Sequence, residues 1–123
     1  MPIAKDFEHR LTPVLASIVE HYGTPFHIYD EKGIRETGEA LNQAFSGIDG
    51  FREFFAVKAL PNPRIMQIMK SLGFGFDCSS VAELTLSRQA GVTGEGIMFT
   101  SNNTSQADFQ AAGVHRGEFA GQA

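Results

Sequence analysis

The sequence predicts an α/β fold built on a parallel sheet. Two observations carry that expectation. Apolar runs of strand length, rich in Phe, Val and Ile, stand at Phe54–Ala59, Gly73–Asp77 and Gly96–Thr100. Segments with helical apolar spacing lie between and after them, so that strand and helix alternate at about 20 residues per unit, the period of right-handed βαβ crossovers. A complete (β/α)8 barrel takes roughly 250 residues. The chain has 123 and carries three such units, so it reads as the first part of a barrel or as a small open α/β sheet.

The elements follow in order. Residues 6–22 place Phe7, Leu11, Val14, Leu15, Ile18 and Val19 at helical spacing, with Pro13 as a break. Gly23-Thr24-Pro25 punctuates the chain, and Phe26-His27-Ile28-Tyr29 reads as a short strand ended by Asp30. Residues 31–46 form an amphipathic helix with Ile34, Leu41, Ala44 and Phe45 on its apolar side, followed by a turn bracketed by Gly47 and Gly50. Strands are expected near 53–58, 74–77 and 96–100, the three of them parallel and adjacent in order. Pro61-Asn62-Pro63 stops the first. Ile65, Met66, Ile68, Met69 and Leu72 mark a helix after it, Ser80 opens the next, and Gln106 to Ala112 the last. Ser101 to Ser105 is a polar loop, and residues 113–123 show no apolar period and are expected to lack order.

Composition narrows the function. With 42% hydrophobic and 20% charged residues the chain can bury a core, which excludes wholesale disorder. A net charge of -4 and no basic stripe argue against nucleic acid and anionic membrane as partners. One cysteine excludes a disulfide framework and any multi-cysteine metal site. His9, His21, His27 and His115 are scattered without metal-ligand spacing, so no metal is expected. No run approaches the ~18 apolar residues of a membrane span, and the start of the chain has no signal-like segment, so the expected compartment is the cytoplasm and the expected partner a small molecule.

Polar groups gather where the strands end. Lys58 closes the first strand, Asp77 with Cys78, Ser79 and Ser80 the second, and Thr100 to Thr104 the third. Parallel α/β folds collect ligand groups at that C-terminal edge. Strands lie ~4.8 Å apart, so Lys58 and Asp77 meet if their strands are neighbours and their side chains share a face. Lys58 interrupts an otherwise apolar run, and a desolvated lysine is an amine nucleophile toward carbonyls. The same pattern also describes a strand-end lysine reaching solvent or an acidic partner. Ser80-Val81-Ala82-Glu83 is a capping box, which gives Ser80 and Glu83 a structural reading first. Exposed N–H groups at that helix start also suit an anion. Cys78 reads as packing, and Asn102, Asn103 and Thr104 as loop and cap residues. Gly73-Phe74-Gly75 precedes a strand and is no dinucleotide fingerprint.

These residues resemble a known family. Tyr22-Gly23-Thr24-Pro25-Phe26-His27-Ile28-Tyr29-Asp30 resembles the N-terminal motif of diaminopimelate decarboxylases. Phe55-Ala56-Val57-Lys58-Ala59 looks like the lysine motif of the fold-type III pyridoxal-phosphate decarboxylases, and Gly75-Phe76-Asp77-Cys78-Ser79-Ser80-Val81-Ala82-Glu83-Leu84 is similar to the segment after it. The match covers about residues 20–105. The resemblance implies an alanine racemase-like barrel that binds pyridoxal 5'-phosphate, joined to a C-terminal β domain that residues 26–29 would enter. It implies that Lys58 is the Schiff-base lysine, that Asp77 lies beside it near the cofactor, and that Glu83 and Ser80 fall close by. It implies decarboxylation of an amino acid, meso-diaminopimelate to lysine if the likeness extends to substrate, and a homodimer for the full-length relative.

The family's ring-stacking histidine, glycine-rich phosphate loop and acid paired with the pyridine nitrogen come later in its chains and have no counterpart here. The expectation is therefore an N-terminal fragment, from a truncated or frameshifted gene or an expressed piece, without activity of its own. Residues 1–35 would hold the N-terminal helix and strand, 36–112 the first βα units, and 113–123 a tail unlike the family. Other readings are an ornithine/arginine or carboxynorspermidine decarboxylase, a non-catalytic barrel protein that binds the same cofactor, and an open α/β interaction module.

Overall fold

The computed structural model describes residues 4–100 and 105–116. The chain divides into two units, Met1–Thr37 and Gly38–Ala123.

The first unit is helical. Helix α1 spans Lys5–Leu11 and α2 spans Leu15–Tyr22, separated by a 3-10 turn over Thr12–Val14. Proline lacks the N–H that a continuous helix would use, so the break falls at Pro13. Gly23 ends α2 at φ 73 while its N–H donates to the Val19 carbonyl at 2.9 Å; the positive φ suits glycine. The Thr24–Pro25 bond is cis. Helix α3, Glu31–Ala44, begins in this unit and ends in the next.

Salt bridges tie the start of α3 to α1. Arg10 Nη2 lies 2.7 Å from Asp30 Oδ2, Arg10 Nε lies 3.2 Å from Asp6 Oδ2, and Lys32 Nζ lies 3.1 Å from the same Asp6 oxygen. Hydrogen bonds from Lys32 and then Arg10 hold the Asp6 carboxyl below its usual range, and the bond from Arg10 does the same for Asp30. The expected strand at 26–29 is not formed: residues 25–30 carry no ladder. An extended run is a strand only when a neighbour takes its N–H and C=O groups, and among the described residues no segment pairs with this one.

The second unit holds the sheet. Strands β1 (Phe54–Ala56), β2 (Gly75–Cys78) and β3 (Ile97–Phe99) stand in sequence order and all pair parallel, as expected. Helix α4, Pro63–Ser71, links β1 to β2, and α5, Val81–Gln89, links β2 to β3. Asn62 caps α4, its side chain accepting from the N–H groups of Arg64 at 2.9 Å and Ile65 at 3.3 Å, with Pro63 in the first helical position. The register pairs Phe55 with Phe76 and Phe76 with Ile97, and one rung on it pairs Ala56 with Asp77 and Asp77 with Met98.

Alternation puts these two rungs on opposite faces. One face is the core: Phe76, Cys78 and Ile97 pack with Val57, Met66, Leu84, Ala90, Val92 and Ala112 in a single buried cluster. Each fully buried large side chain there contributes about 1.5–3 kcal/mol of transfer free energy. The other face carries Ala56, Asp77 and Met98. Met98 is 47% exposed, so no described segment covers that face at β3.

Two boundaries differ from expectation. Strand β1 stops at Ala56, and Val57–Ala59 close a 3-10 turn in which the Leu60 N–H donates to the Val57 carbonyl at 3.2 Å. Lys58 therefore sits in the turn after the strand rather than in it. Helix α6, Gln106–Arg116, runs past the expected end at Ala112, so the tail expected to lack order from residue 113 is helical through 116. Residues 101–104 of the polar loop expected over Ser101–Ser105, and 117–123, the rest of the expected tail, lie outside the described residues.

Two outcomes follow from this packing. A Cβ on Gly75 would stand 2.5 Å from the Phe54 ring and 2.8 Å from the Gly96 carbonyl oxygen, which is backbone and cannot turn aside. Gly75→Ala should cost about 1–3 kcal/mol in urea unfolding, against a change within about 0.5 kcal/mol for Gly47→Ala, whose Cβ meets nothing within 4 Å. Equal midpoints for the two variants would contradict the register. In the helical unit the lowered Asp6 and Asp30 carboxyls contribute stability that is present above the ordinary value of 3.8 and is lost as pH falls through their lowered values. Arg10→Ala should therefore raise the pH at which helical circular dichroism is lost in acid.

Candidate cofactor-binding edge of the sheet

The register brings three side chains to the C-terminal edge. Asp77, half-buried on β2, is flanked by Ala56 on β1 and Met98 on β3. Lys58 and Thr100 each lie two residues beyond those partners. Lys58 is exposed, and among the described residues its ammonium group makes no ion pair or hydrogen bond. The structure thus sets Lys58 and Asp77 at the ends of adjacent strands without closing a salt bridge between them. Thr100 is tied to β2 twice: its N–H donates to the Cys78 carbonyl at 2.8 Å, and its hydroxyl donates to Asp77 Oδ1. In the sequence Thr100 is one polar residue among several at the third strand end, and its tie to Asp77, 23 positions away, becomes visible only once the register is known.

Ser80 and Glu83 form the capping arrangement that their spacing predicts, with one difference. Ser80 caps α5, its Oγ accepting from the Glu83 N–H at 3.3 Å. The Glu83 carboxylate accepts from the Ser80 hydroxyl at 3.0 Å and from the N–H of Ser79, rather than of Ser80, at 3.0 Å. Both carboxylate oxygens are thus engaged within the turn. Glu83 holds the β2–α5 connection in shape and faces any anion approaching that helix start with its own negative charge.

Cys78 lies on the core face and is fully buried. Its Sγ is 3.2 Å from Ser87 Oγ, and the Ser87 hydroxyl donates to the Glu83 carbonyl at 2.9 Å. With the serine proton so used, the thiol is the donor in the Cys78–Ser87 contact. Burial pushes the Cys78 thiol up to about 11. A cavity of about 250 Å³ lies in the helical unit, lined by Ile18, Tyr22, Phe26, His27 and Ile28, and contains none of the candidate residues. Among the described residues no helix is long and apolar enough to cross a membrane, and no group of three or more His, Cys, Asp or Glu stands as a metal site.

Comparison with known proteins bears on this edge. Residues 31–118 match the family model described as the pyridoxal-binding domain of pyridoxal-dependent decarboxylases. Protein TabA of Pseudomonas amygdali pv. tabaci is 48% identical over 112 residues, covering 91% of this chain and 26% of TabA. Diaminopimelate decarboxylase of Methanothermobacter thermautotrophicus is 36% identical over 96 residues, covering 77% of this chain and 22% of that protein. The chain spans about a quarter of the length of these curated relatives. Among solved structures, diaminopimelate decarboxylase from M. jannaschi matches with a TM-score of 0.73 at 25% identity, covering 78% of this chain and 23% of that one. Lysine/ornithine decarboxylase from Vibrio vulnificus, complexed with putrescine, matches with a TM-score of 0.76 at 24% identity, covering 93% of this chain and 30% of that one. At that identity the second match speaks for the fold alone.

The buried thiol gives the core behind this edge a pH signature. A thiol held above its ordinary value of 9.0, up to about 11, contributes stability that is fully present below the ordinary value and is lost as pH rises through the folded one. Unfolding free energy should fall by on the order of 2 kcal/mol between pH 9 and 11. Cys78→Ala should flatten that part of the profile. A parent profile as flat as the variant's would show that the thiol is not held as described.

Proposed function

The chain belongs to the pyridoxal-dependent decarboxylases through their pyridoxal-binding domain, and from that premise we propose that it is the part of an amino-acid decarboxylase that carries the cofactor on Lys58. The observation that supports this reading is the state of Lys58: an exposed amine at the C-terminal edge, without a partner among the described residues. An amine in a closed salt bridge would have to break it before bonding a carbonyl, and this one has none to break. A carboxylate on the adjacent strand, Asp77, adds negative charge at the same edge. The Lys58 amine fits a group that bears an aldehyde, with the Asp77 carboxylate on the neighbouring strand beside it.

When bound, pyridoxal 5'-phosphate supplies an electron sink for the carbanion left as an α-carboxylate departs as CO₂. The chain's own contribution is positional. Lys58 holds the cofactor, Asp77 fixes charge beside it, and the Ser80–Glu83 cap shapes the turn that follows. The substrate we propose is meso-diaminopimelate, giving lysine, since seven of the similar relatives are diaminopimelate decarboxylases. The name of TabA specifies no substrate. Because the chain spans about a quarter of those proteins, we propose that it loads cofactor without turning over substrate. Residues 1–35 would serve a β domain, and 36–112 would be the first barrel units. The compartment we propose is the cytoplasm and the full-length form a homodimer.

The test is chemical trapping. The chain is incubated with pyridoxal 5'-phosphate, reduced with borohydride and digested, and the peptides are weighed. The expected result is a pyridoxyl adduct concentrated on Lys58 and absent in Lys58→Ala. Adduct spread evenly over Lys5, Lys32, Lys58 and Lys70 would overturn the assignment. CO₂ release from meso-diaminopimelate, lysine and ornithine should stay at background, and turnover sensitive to Lys58→Ala would overturn the proposal that this span alone is inactive.

A further inference from the structure

Thr100 lies across β2 from the lysine side of the edge, and nothing in the comparisons assigns it a role. Its two attachments converge on β2: main chain to the Cys78 carbonyl at 2.8 Å, side chain to Asp77 Oδ1. The Cys78 carbonyl is held by a residue locked in the core, since Cys78 is fully buried. Threonine is β-branched and stiff about χ1, so fixing its main chain leaves its hydroxyl few directions in which to point. The direction it takes is the Asp77 carboxylate. A half-buried carboxylate at a strand end, otherwise free to turn about its Cα–Cβ bond, is thereby held by one oxygen.

We propose that Thr100 is a positioning residue for Asp77: its hydroxyl holds Oδ1, which sets the direction of Oδ2 and so the charge that a cofactor carried on Lys58 meets. The inference rests on the proposed role of Lys58 and goes one strand beyond it. Thr100 acts through Asp77 and need not touch the cofactor. The alternative is a threonine that merely fastens β3 to β2, and the two differ in what they predict for conservative variants. Thr100→Val keeps the β-branch and the main-chain bond and deletes the donor. Thr100→Ser keeps the donor and loses the methyl group.

Two measurements on the whole chain decide it. In the first, the rate of borohydride-trapped adduct formation at Lys58 with pyridoxal 5'-phosphate is compared across the parent, Thr100→Val, Thr100→Ser, Asp77→Asn and the Val/Asn double variant. The expected pattern is a loss of about three- to tenfold for Val, within about twofold of the parent for Ser, and no further loss when Val is added to Asn. Val matching the parent, Ser as impaired as Val, or additive losses would each overturn the proposal. The second measurement needs no cofactor: the ¹³Cγ resonance of Asp77 should move in Thr100→Val and return in Thr100→Ser. If the parent itself traps nothing at Lys58, the proposed function fails for this chain, and the carboxylate resonance then decides the Thr100–Asp77 tie alone. A resonance unmoved in Thr100→Val overturns it.

Discussion

The parallel register of three short strands is the constraint on which the rest depends. It is fixed by ladder hydrogen bonds that pair Phe55 with Phe76 and Phe76 with Ile97. A slip of one residue would turn Phe76 out of the core and bring Asp77 into it. Phe76 is fully buried while Asp77 keeps a wet side, so the slipped state would bury an unpaired carboxylate and expose a phenyl ring together. Both changes are costly, and neither relieves the other. The core face thereby selects the register, and the register delivers Lys58, Asp77 and Thr100 to one edge. The positions of these polar residues are thus set by the side chains of the core rather than by the polar residues themselves.

The turn after β2 shows how structural and chemical roles divide among neighbouring residues. Cys78, Ser79, Ser80 and Glu83 are all polar or titratable, and all lie within reach of the edge. Cys78 and Ser87 bond each other inside the core, and Ser79, Ser80 and Glu83 bond one another around the start of α5. Their groups answer the unsatisfied donors that every helix start presents. Lys58, by contrast, has no such bond among the described residues. An uncommitted charged group thus stands beside a turn whose polar groups are committed to one another.

Much of this was legible in the sequence, and the rest was not for physical reasons. The three parallel strands followed from apolar runs at even spacing. The cap at Ser80 is short-range, because a side chain two or three residues ahead of an N–H reaches it whatever the rest of the chain does. The end of β1 was less legible, because Phe54 to Leu60 is apolar on both sides of the turn and only the bond from Leu60 N–H to Val57 C=O distinguishes them. Residues 26–29 have strand composition, but a strand is a property of two segments. The tie between Thr100 and Asp77 is non-local in the same sense: neither residue's neighbours announce it.

The buried thiol has a practical consequence for spectroscopy. Cys78 is the single cysteine of the chain, and it combines full burial with a thiol held well above neutrality. Thiol-directed dyes and spin labels react with exposed thiolate, so at neutral pH the folded chain is silent to them without any substitution. A cysteine placed at an exposed position such as Thr85 on α5 or Ser105 before α6 would be the one site that labels. The native sequence is in that respect already a background-free scaffold, on which a single reporter can be moved from helix to helix while the core stays as it is.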